Sequence, residues 1–320
     1  MSTNGFVNNI LKRIGQPHLI DLLAHKVSGT ELNSILLEVF RERCQTMTPG
    51  TLMRSYHQNK FVKPGDLPAL QLKQIELDLS HLFNESCFES LELSPVSVLG
   101  SCSVVGLASQ HKILSALRGT EVMADATNAL ALHIAEQKQQ GFWKPESSSD
   151  MMKFSVIQRH LRTQSISAKG FTPHFKIACL VSAGTDTGSY AFEKKSLMDH
   201  ISLIKNLFLS YYKVQRISFR FICRPEGYKD AVAMTAAVNE FITNELPGTE
   251  VQIIYASEKS NAYYKGLQYK IDIEHNNRTY EIGDGGFVDW TQQLLQNKKE
   301  RMLSTGIGFE FMYRILKNQV

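Results

Sequence analysis

The segments Tyr269–Glu274 and Thr279–Ile282 read as strands, and the four residues between them include the turn-prone His275-Asn276-Asn277. A connection that short makes an antiparallel hairpin. From about Phe88 onward further strand candidates follow: Leu91–Leu99, Phe154–Leu161, Phe175–Val181, Ile217–Cys223 and Val251–Tyr255. Helical periodicity fills the intervals at Asn128–Gln137, Glu193–Phe208, Lys229–Leu246, Thr291–Lys299 and about Gly308–Leu316. A hairpin inside such a pattern favours an α+β domain, a mostly antiparallel sheet flanked by helices, over a doubly wound parallel sheet.

The beginning of the chain reads differently. Leu32, Ile35, Leu36, Val39 and Phe40 recur at helical spacing, and Ser28-Gly29-Thr30-Glu31, Thr48-Pro49-Gly50-Thr51 and Lys63-Pro64-Gly65-Asp66 punctuate the helices. The expected division is a helical N-terminal extension over residues 1–86 and a second domain over 87–320. A chain of 320 residues with 43% hydrophobic and 21% charged positions is large enough for one or two such domains and lies outside the disordered regime.

Charge and cysteine usage narrow the setting. A net +4 over 320 residues is too dilute to mark a dedicated nucleic-acid binder, and neither implies nor excludes one. Five cysteines with no C-x-x-C pair fit neither a disulfide framework nor a zinc ribbon, so reduced thiols in a cytoplasm are expected. Residues 1–23 lack the apolar segment and cleavage site of a signal peptide, and no apolar run approaches membrane-spanning length.

Four segments put polar residues at strand ends or helix starts. In Ala124-Asp125-Ala126-Thr127, Asp125 or Thr127 either caps the next helix or holds a substrate ammonium beside the helix amides. Gln158 to Gln164 and Phe171 to Lys176 form either a solvated basic hairpin or a polyanion site built from Arg162, His174 and Lys176. Tyr263-Tyr264-Lys265-Gly266 is a small-molecule pocket or an aromatic core edge. Gly283-Asp284-Gly285-Gly286 and Gly306-Ile307-Gly308 suggest backbone approaching a ligand or another strand closely.

The order and spacing of these segments, from roughly Phe88 to Leu316, resemble the catalytic core of a class II aminoacyl-tRNA synthetase of the histidyl type, or of its paralogue that regulates ATP phosphoribosyltransferase. Leu91-Glu92-Leu93-Ser94-Pro95 resembles the first class-defining motif, which implies a homodimer. Asp125-Ala126-Thr127 is similar to the family's Glu-x-Thr, and Tyr263-Tyr264-Lys265-Gly266, Gly285-Gly286 and Asp289 to its amino-acid pocket. These imply substrate contacts from Asp125, Thr127, Tyr263, Tyr264, Gly285, Gly286 and Asp289. Arg162-Thr163-Gln164 resembles the second motif and Gly306-Ile307-Gly308-Phe309-Glu310 the third. The resemblance implies ATP at Arg162, Gln164, Phe175, Lys176, Gly306, Gly308 and Glu310, Mg²⁺ on Glu310, and catalytic roles for Arg162, His174 and Lys259.

The departures matter equally. Phe311 stands where the family carries the arginine that grips the γ-phosphate, Phe287 and Val288 replace an arginine and a tyrosine, and Lys259 replaces another arginine. No anticodon-binding domain follows the third motif before Val320, so ordinary tRNA charging is not expected. Two functions follow from the resemblance. One is an ATP-dependent ligase that activates an amino acid or similar carboxylate as an acyl-adenylate for a non-tRNA acceptor. The other is a catalytically inactive paralogue that senses a metabolite or scaffolds a partner.

Overall fold

The structure is a computed structural model and describes residues 5–147, 149–163, 172–255 and 263–318. The chain opens with the helices α1 (Gly5–Arg13), α2 (Leu19–His25), α3 (Gly29–Gln45), α4 (Pro49–Gln58) and α5 (Ala69–Glu85). Two of the three punctuation segments act as caps. Ser28 and Glu31 form a reciprocal capping box at the start of α3, and Thr48 and Thr51 do the same for α4, with Pro49 in its first turn. Leu11 is the one buried residue among those described in α1 to α4. By contrast, α5 sinks Leu72, Leu79 and Phe83 into the main core.

The remainder comprises β1 (Glu89–Ser90), β2 (Val96–Val98), β3 (Thr120–Val122), α6 (Ala126–Gln139), β4 (Met152–Leu161), β5 (His174–Thr185), α7 (Ala191–Lys205) and β6 (Arg216–Cys223). It continues with α8 (Ala231–Glu245), β7 (Glu250–Tyr255), β8 (Lys265–His275), β9 (Arg278–Val288), α9 (Trp290–Leu295), β10 (Glu300–Ile307) and α10 (Phe309–Leu316). Eight strands form one sheet in the order β1-β4-β5-β10-β9-β8-β6-β7. Its interior pairings are antiparallel; the two edge pairings, β1 with β4 and β6 with β7, are parallel. The α+β architecture expected from the hairpin is the one observed, and the hairpin is its β8–β9 pair. Asn276 and Asn277 both take positive φ there, 51° and 58°, as a two-residue turn between right-twisted strands requires.

Side-chain alternation along β5 divides the core. Ala178 and Leu180 face a cluster built with α5, α7, α8 and α10, whereas Cys179, Val181 and Ala183 face α6 and Trp290. The second layer is the smaller one, and its far end opens into the cavity described below.

Two expectations are corrected. Leu91–Leu99 is not one strand: Ser94-Pro95 interrupts it, proline having no N–H for a ladder, and only the short β1 and β2 pair on either side. The helix expected at Thr291–Lys299 ends at Leu295, with Gln296 at φ 50°, and the chain then enters β10 at the centre of the sheet. That strand hides in the sequence because its interior carries polar residues. Thr305 is buried but satisfied, hydrogen-bonded to His200 Nδ1 at 2.6 Å and to the Tyr269 hydroxyl.

Glycines in β9 answer to packing. A register shift in β8 between Lys265 and Gln268 brings its backbone against Gly286, where a Cβ would lie 2.6 Å from the Leu267 carbonyl oxygen and 2.7 Å from the Tyr264 ring. Gly286→Ala is expected to lower unfolding free energy by about 2 kcal/mol through overpacking, read in urea denaturation; an unchanged midpoint would contradict the assignment.

Candidate functional site

Asp125 is the N-cap of α6, and its side chain does more than cap. Oδ1 accepts from the Thr127 backbone N–H at 3.0 Å and the Thr127 hydroxyl at 2.7 Å, while Oδ2 accepts from the Tyr263 hydroxyl at 2.8 Å. A carboxylate offers about four acceptor positions, so three protein donors leave room for one more. Asp125 is half-buried and lines a cavity of about 650 Å³. Its neighbours Thr127, His160, Cys179, Tyr263 and Tyr264 close that end. Burial, reinforced by the Asp125 charge, pushes the Tyr263 phenol well above its usual pKa; burial and the Asp284 charge do the same for Tyr264. Both phenols are therefore neutral.

Arg162 follows β4 and occupies the middle of the cavity. Its Nε donates to the Ala124 carbonyl at 3.1 Å and its guanidinium lies 5.6 Å from the centre of the Phe175 ring. Asp125 and Arg162 thus face one hollow, a carboxylate at one end and a cation beside it.

The far end is lined by Thr172, Lys176, Glu281, Gly308, Glu310, Phe311 and Arg314, among others. Its cations are already engaged. Lys176 pairs with Glu76 of α5 and Arg314 with Asp66 in the turn before α5, while the lining Glu310 accepts at 2.8 Å from Arg159, which lies outside the cavity lining.

Among the site residues expected from sequence, the cavity brings together Asp125, Thr127, Arg162, Phe175, Lys176, Tyr263, Tyr264, Gly306, Gly308 and Glu310. It does not include His174, whose ring is held between Arg159 Nη1 at 3.0 Å and the Lys63 carbonyl at 2.6 Å. Gly285 and Gly286 lie outside it, pressed against Tyr269, Ser304 and the β8 backbone. Asp289, also outside, sits 3.9 Å from Lys265 Nζ ahead of α9. Gln164 and Lys259 fall outside the described residues.

Sequence reasoning missed His160 and Asp284, both in the cavity lining. His160 lies two residues before Arg162, so strand alternation was the available signal. It is buried and accepts the Ala126 N–H on Nε2 at 3.1 Å, so its proton sits on Nδ1, which has no hydrogen-bond partner among the described residues. Burial pushes its pKa down to about 4, with the Asp125 charge opposing and Arg162 assisting. Asp284 accepts from Gln268 at 3.0 Å and from Lys270 at 3.3 Å; its place between two glycines was visible, but not its direction.

No family model matches the sequence, and no curated protein does. Solved structures match the fold. The RNA-binding domain of threonyl-tRNA synthetase from Cryptosporidium parvum superposes with TM-score 0.63 at 10% identity, covering 81% of this chain and 68% of that one. Apo histidyl-tRNA synthetase from S. aureus gives 0.60 at 13% identity over 80% and 68% of the two chains. An ATP phosphoribosyltransferase regulatory subunit/histidyl-tRNA synthetase from Bacillus halodurans gives 0.60 at 13% over 81% and 83%. The chain has the class II synthetase-like fold.

Two buried histidines set a pH dependence. His160 and His200, the latter pushed by burial down to about 3, stay neutral in the folded protein but take up protons near pH 6.5 when unfolded. The unfolded state then binds more protons, so stability falls on acidification from about pH 6.5 toward 4. Each histidine is expected to remove about 2 kcal/mol between pH 7 and 5, and His160→Gln to remove its share of that loss. A pH dependence of urea unfolding identical in the variant and the wild type would contradict this.

Proposed function

We propose that the chain binds a small amino-acid-like zwitterion, with its ammonium on Asp125 and its carboxylate toward Arg162, and acts as a ligand-binding, non-adenylating relative of the class II synthetases. The observation that carries this reading is the contrast between the two ends of one cavity. Among the described residues Asp125 receives three donors, one fewer than a carboxylate can take, whereas Lys176 and Arg314 at the far end are matched by carboxylates of the chain itself.

ATP and Mg²⁺ were the cofactors implied by the family resemblance, and the residues present do not fit them. Glu310, the expected metal ligand, already accepts from Arg159 at 2.8 Å. Phe311 offers no donor where a γ-phosphate clamp is expected. Loss of one such preorganised donor costs on the order of 3 kcal/mol of transition-state stabilisation. The chemistry that remains is recognition. The Asp125 carboxylate attracts a cationic amine, the neutral Tyr263 and Thr127 hydroxyls orient that carboxylate, and Arg162 balances the charge of the ligand's acid group.

Homodimerisation through the segment around Pro95 belongs to the same reading. Val98, Leu99, Val104 and Leu107 leave that side of the molecule apolar and exposed.

Thermal unfolding with each of the twenty amino acids tests the proposal. At about 100 times its Kd a ligand adds roughly 2.7 kcal/mol, so at least one should raise the melting temperature. Asp125→Asn should abolish that rise while leaving the unliganded melt near wild type, because asparagine caps helices as well as aspartate. A panel in which none stabilises the wild type, or in which Asp125→Asn responds equally, would defeat it.

A further inference from the structure

A second carboxylate of the cavity lining, Asp284 on β9, is short of countercharge. Along this wall Arg220 forks onto Asp272 at 2.5 and 2.9 Å and reaches Glu281 at 2.7 Å. Lys270 divides between Glu281 at 2.8 Å and Asp284 at 3.3 Å. Three carboxylates thus share two cations, and Asp284 has the longest of the contacts. Its other donor is the neutral Gln268 amide at 3.0 Å, and Arg224 joins the group only through the side-chain oxygen of Gln268. The Asp284 side chain is 36% exposed, so a molecule in the cavity reaches it without unpacking the core.

The backbone puts it there. Ile271 pairs with Gly283 but Asp272 with Glu281, so Ile282 is one residue too many in β9. Without that bulge Glu281 and Asp284, three residues apart, would point to opposite faces; with it both reach Lys270 and both line the cavity. Tyr264 links Asp284 to the amine end. Its ring packs 4.7 Å from that of Tyr263, whose hydroxyl donates to Asp125. After burial, the charges of Asp284 and then Asp125 push the Tyr264 phenol up, so one tyrosine pair connects the two carboxylates. His160 adds an independent sign of a ligand: it is 1% exposed, lines the same cavity two residues before Arg162, and keeps an Nδ1–H with no partner among the described residues.

We propose that Asp284 determines specificity in this cavity by binding a cationic group on the ligand's side chain, so that the zwitterion taken at Asp125 and Arg162 is a basic amino acid. The inference rests on the zwitterion reading and adds the ligand's class to it. A side-chain ammonium or guanidinium supplies the positive charge that the wall lacks, through a charge-assisted bond. Aliphatic amino acids are selected against because they desolvate Asp284 without giving it a partner, and acidic ones because they place like charges together.

Calorimetric titration of the full chain tests this, with L-lysine, L-ornithine and L-arginine against L-norleucine, which is lysine without its terminal ammonium. A hydrogen bond to a charged group is worth about tenfold in affinity, so at least one basic amino acid should bind that much more tightly than norleucine. Asp284→Asn should bring the ratio to within about twofold, the size left when a neutral bond replaces a charged one. Norleucine binding as tightly as every basic amino acid, or a ratio that survives Asp284→Asn, would overturn the inference. Should Asp284→Asn fail to fold, Lys270→Gln decides. Removing the internal cation that competes for Asp284 should widen the ratio, and an unchanged or narrower ratio would overturn the inference. The two readings fail separately: if a neutral amino acid raises the melting temperature and no basic one does, the zwitterion reading stands and this one falls, whereas if none of the twenty does, both fall.

Discussion

A single carboxylate ties the molecule's chemistry to its fold. Asp125 ends the approach to α6 by accepting the Thr127 N–H, and with its other oxygen it takes the Tyr263 hydroxyl that stands at the entrance to β8. The cap orients the start of α6, which is packed on β4, β5 and Trp290; the tyrosine fixes the opposite wall. Helix start, strand entrance and cavity end therefore share one set of hydrogen bonds. Changing Asp125 to a residue that caps but carries no charge would separate the structural part of that set from the electrostatic part.

The sheet supplies the rest of the geometry. Antiparallel pairing of β5, β10, β9 and β8 makes a continuous floor, and the close approach of β8 to β9 is possible because Gly285 and Gly286 leave room for Tyr269 and Tyr264. Helices α7 and α8 fill one face densely. On the other face α6 and α9 cover only part of the sheet, so the uncovered part is the cavity. The charged residues on its walls are matched locally by residues outside the lining. Arg159 meets Glu310, Lys176 meets Glu76, and Lys270 serves both Glu281 and Asp284. The cavity is thus electrostatically divided, and the division, more than the fold, distinguishes this chain from what its resemblance implies.

Much of this was legible in the residues. The Asn276-Asn277 turn carries its own geometry, capping boxes announce α3 and α4, and Asp125-Ala126-Thr127 announces a helix start that also belongs to the cavity. What was hidden depends on distant partners. The strand β10 has a polar interior because His200, far away in sequence, satisfies Thr305, so its pattern does not read as a buried strand. His174 sits in a basic hairpin as expected, yet a carbonyl from the turn at Lys63 claims its ring. Gly285-Gly286 resembles ligand-contacting backbone, but the contact is with tyrosines of the neighbouring strand. The matching of Arg314 by Asp66 joins residues 248 positions apart, a separation no local pattern reports.

The central claim is that the cavity recognises an amino-acid-like zwitterion without using a nucleotide. Isothermal titration of the stabilising amino acid, with and without ATP and Mg²⁺, alongside exchange of pyrophosphate into ATP, tests it most directly. The account predicts one Kd in both titrations and no amino-acid-dependent exchange. Binding that appears only with ATP, or measurable exchange, would contradict it.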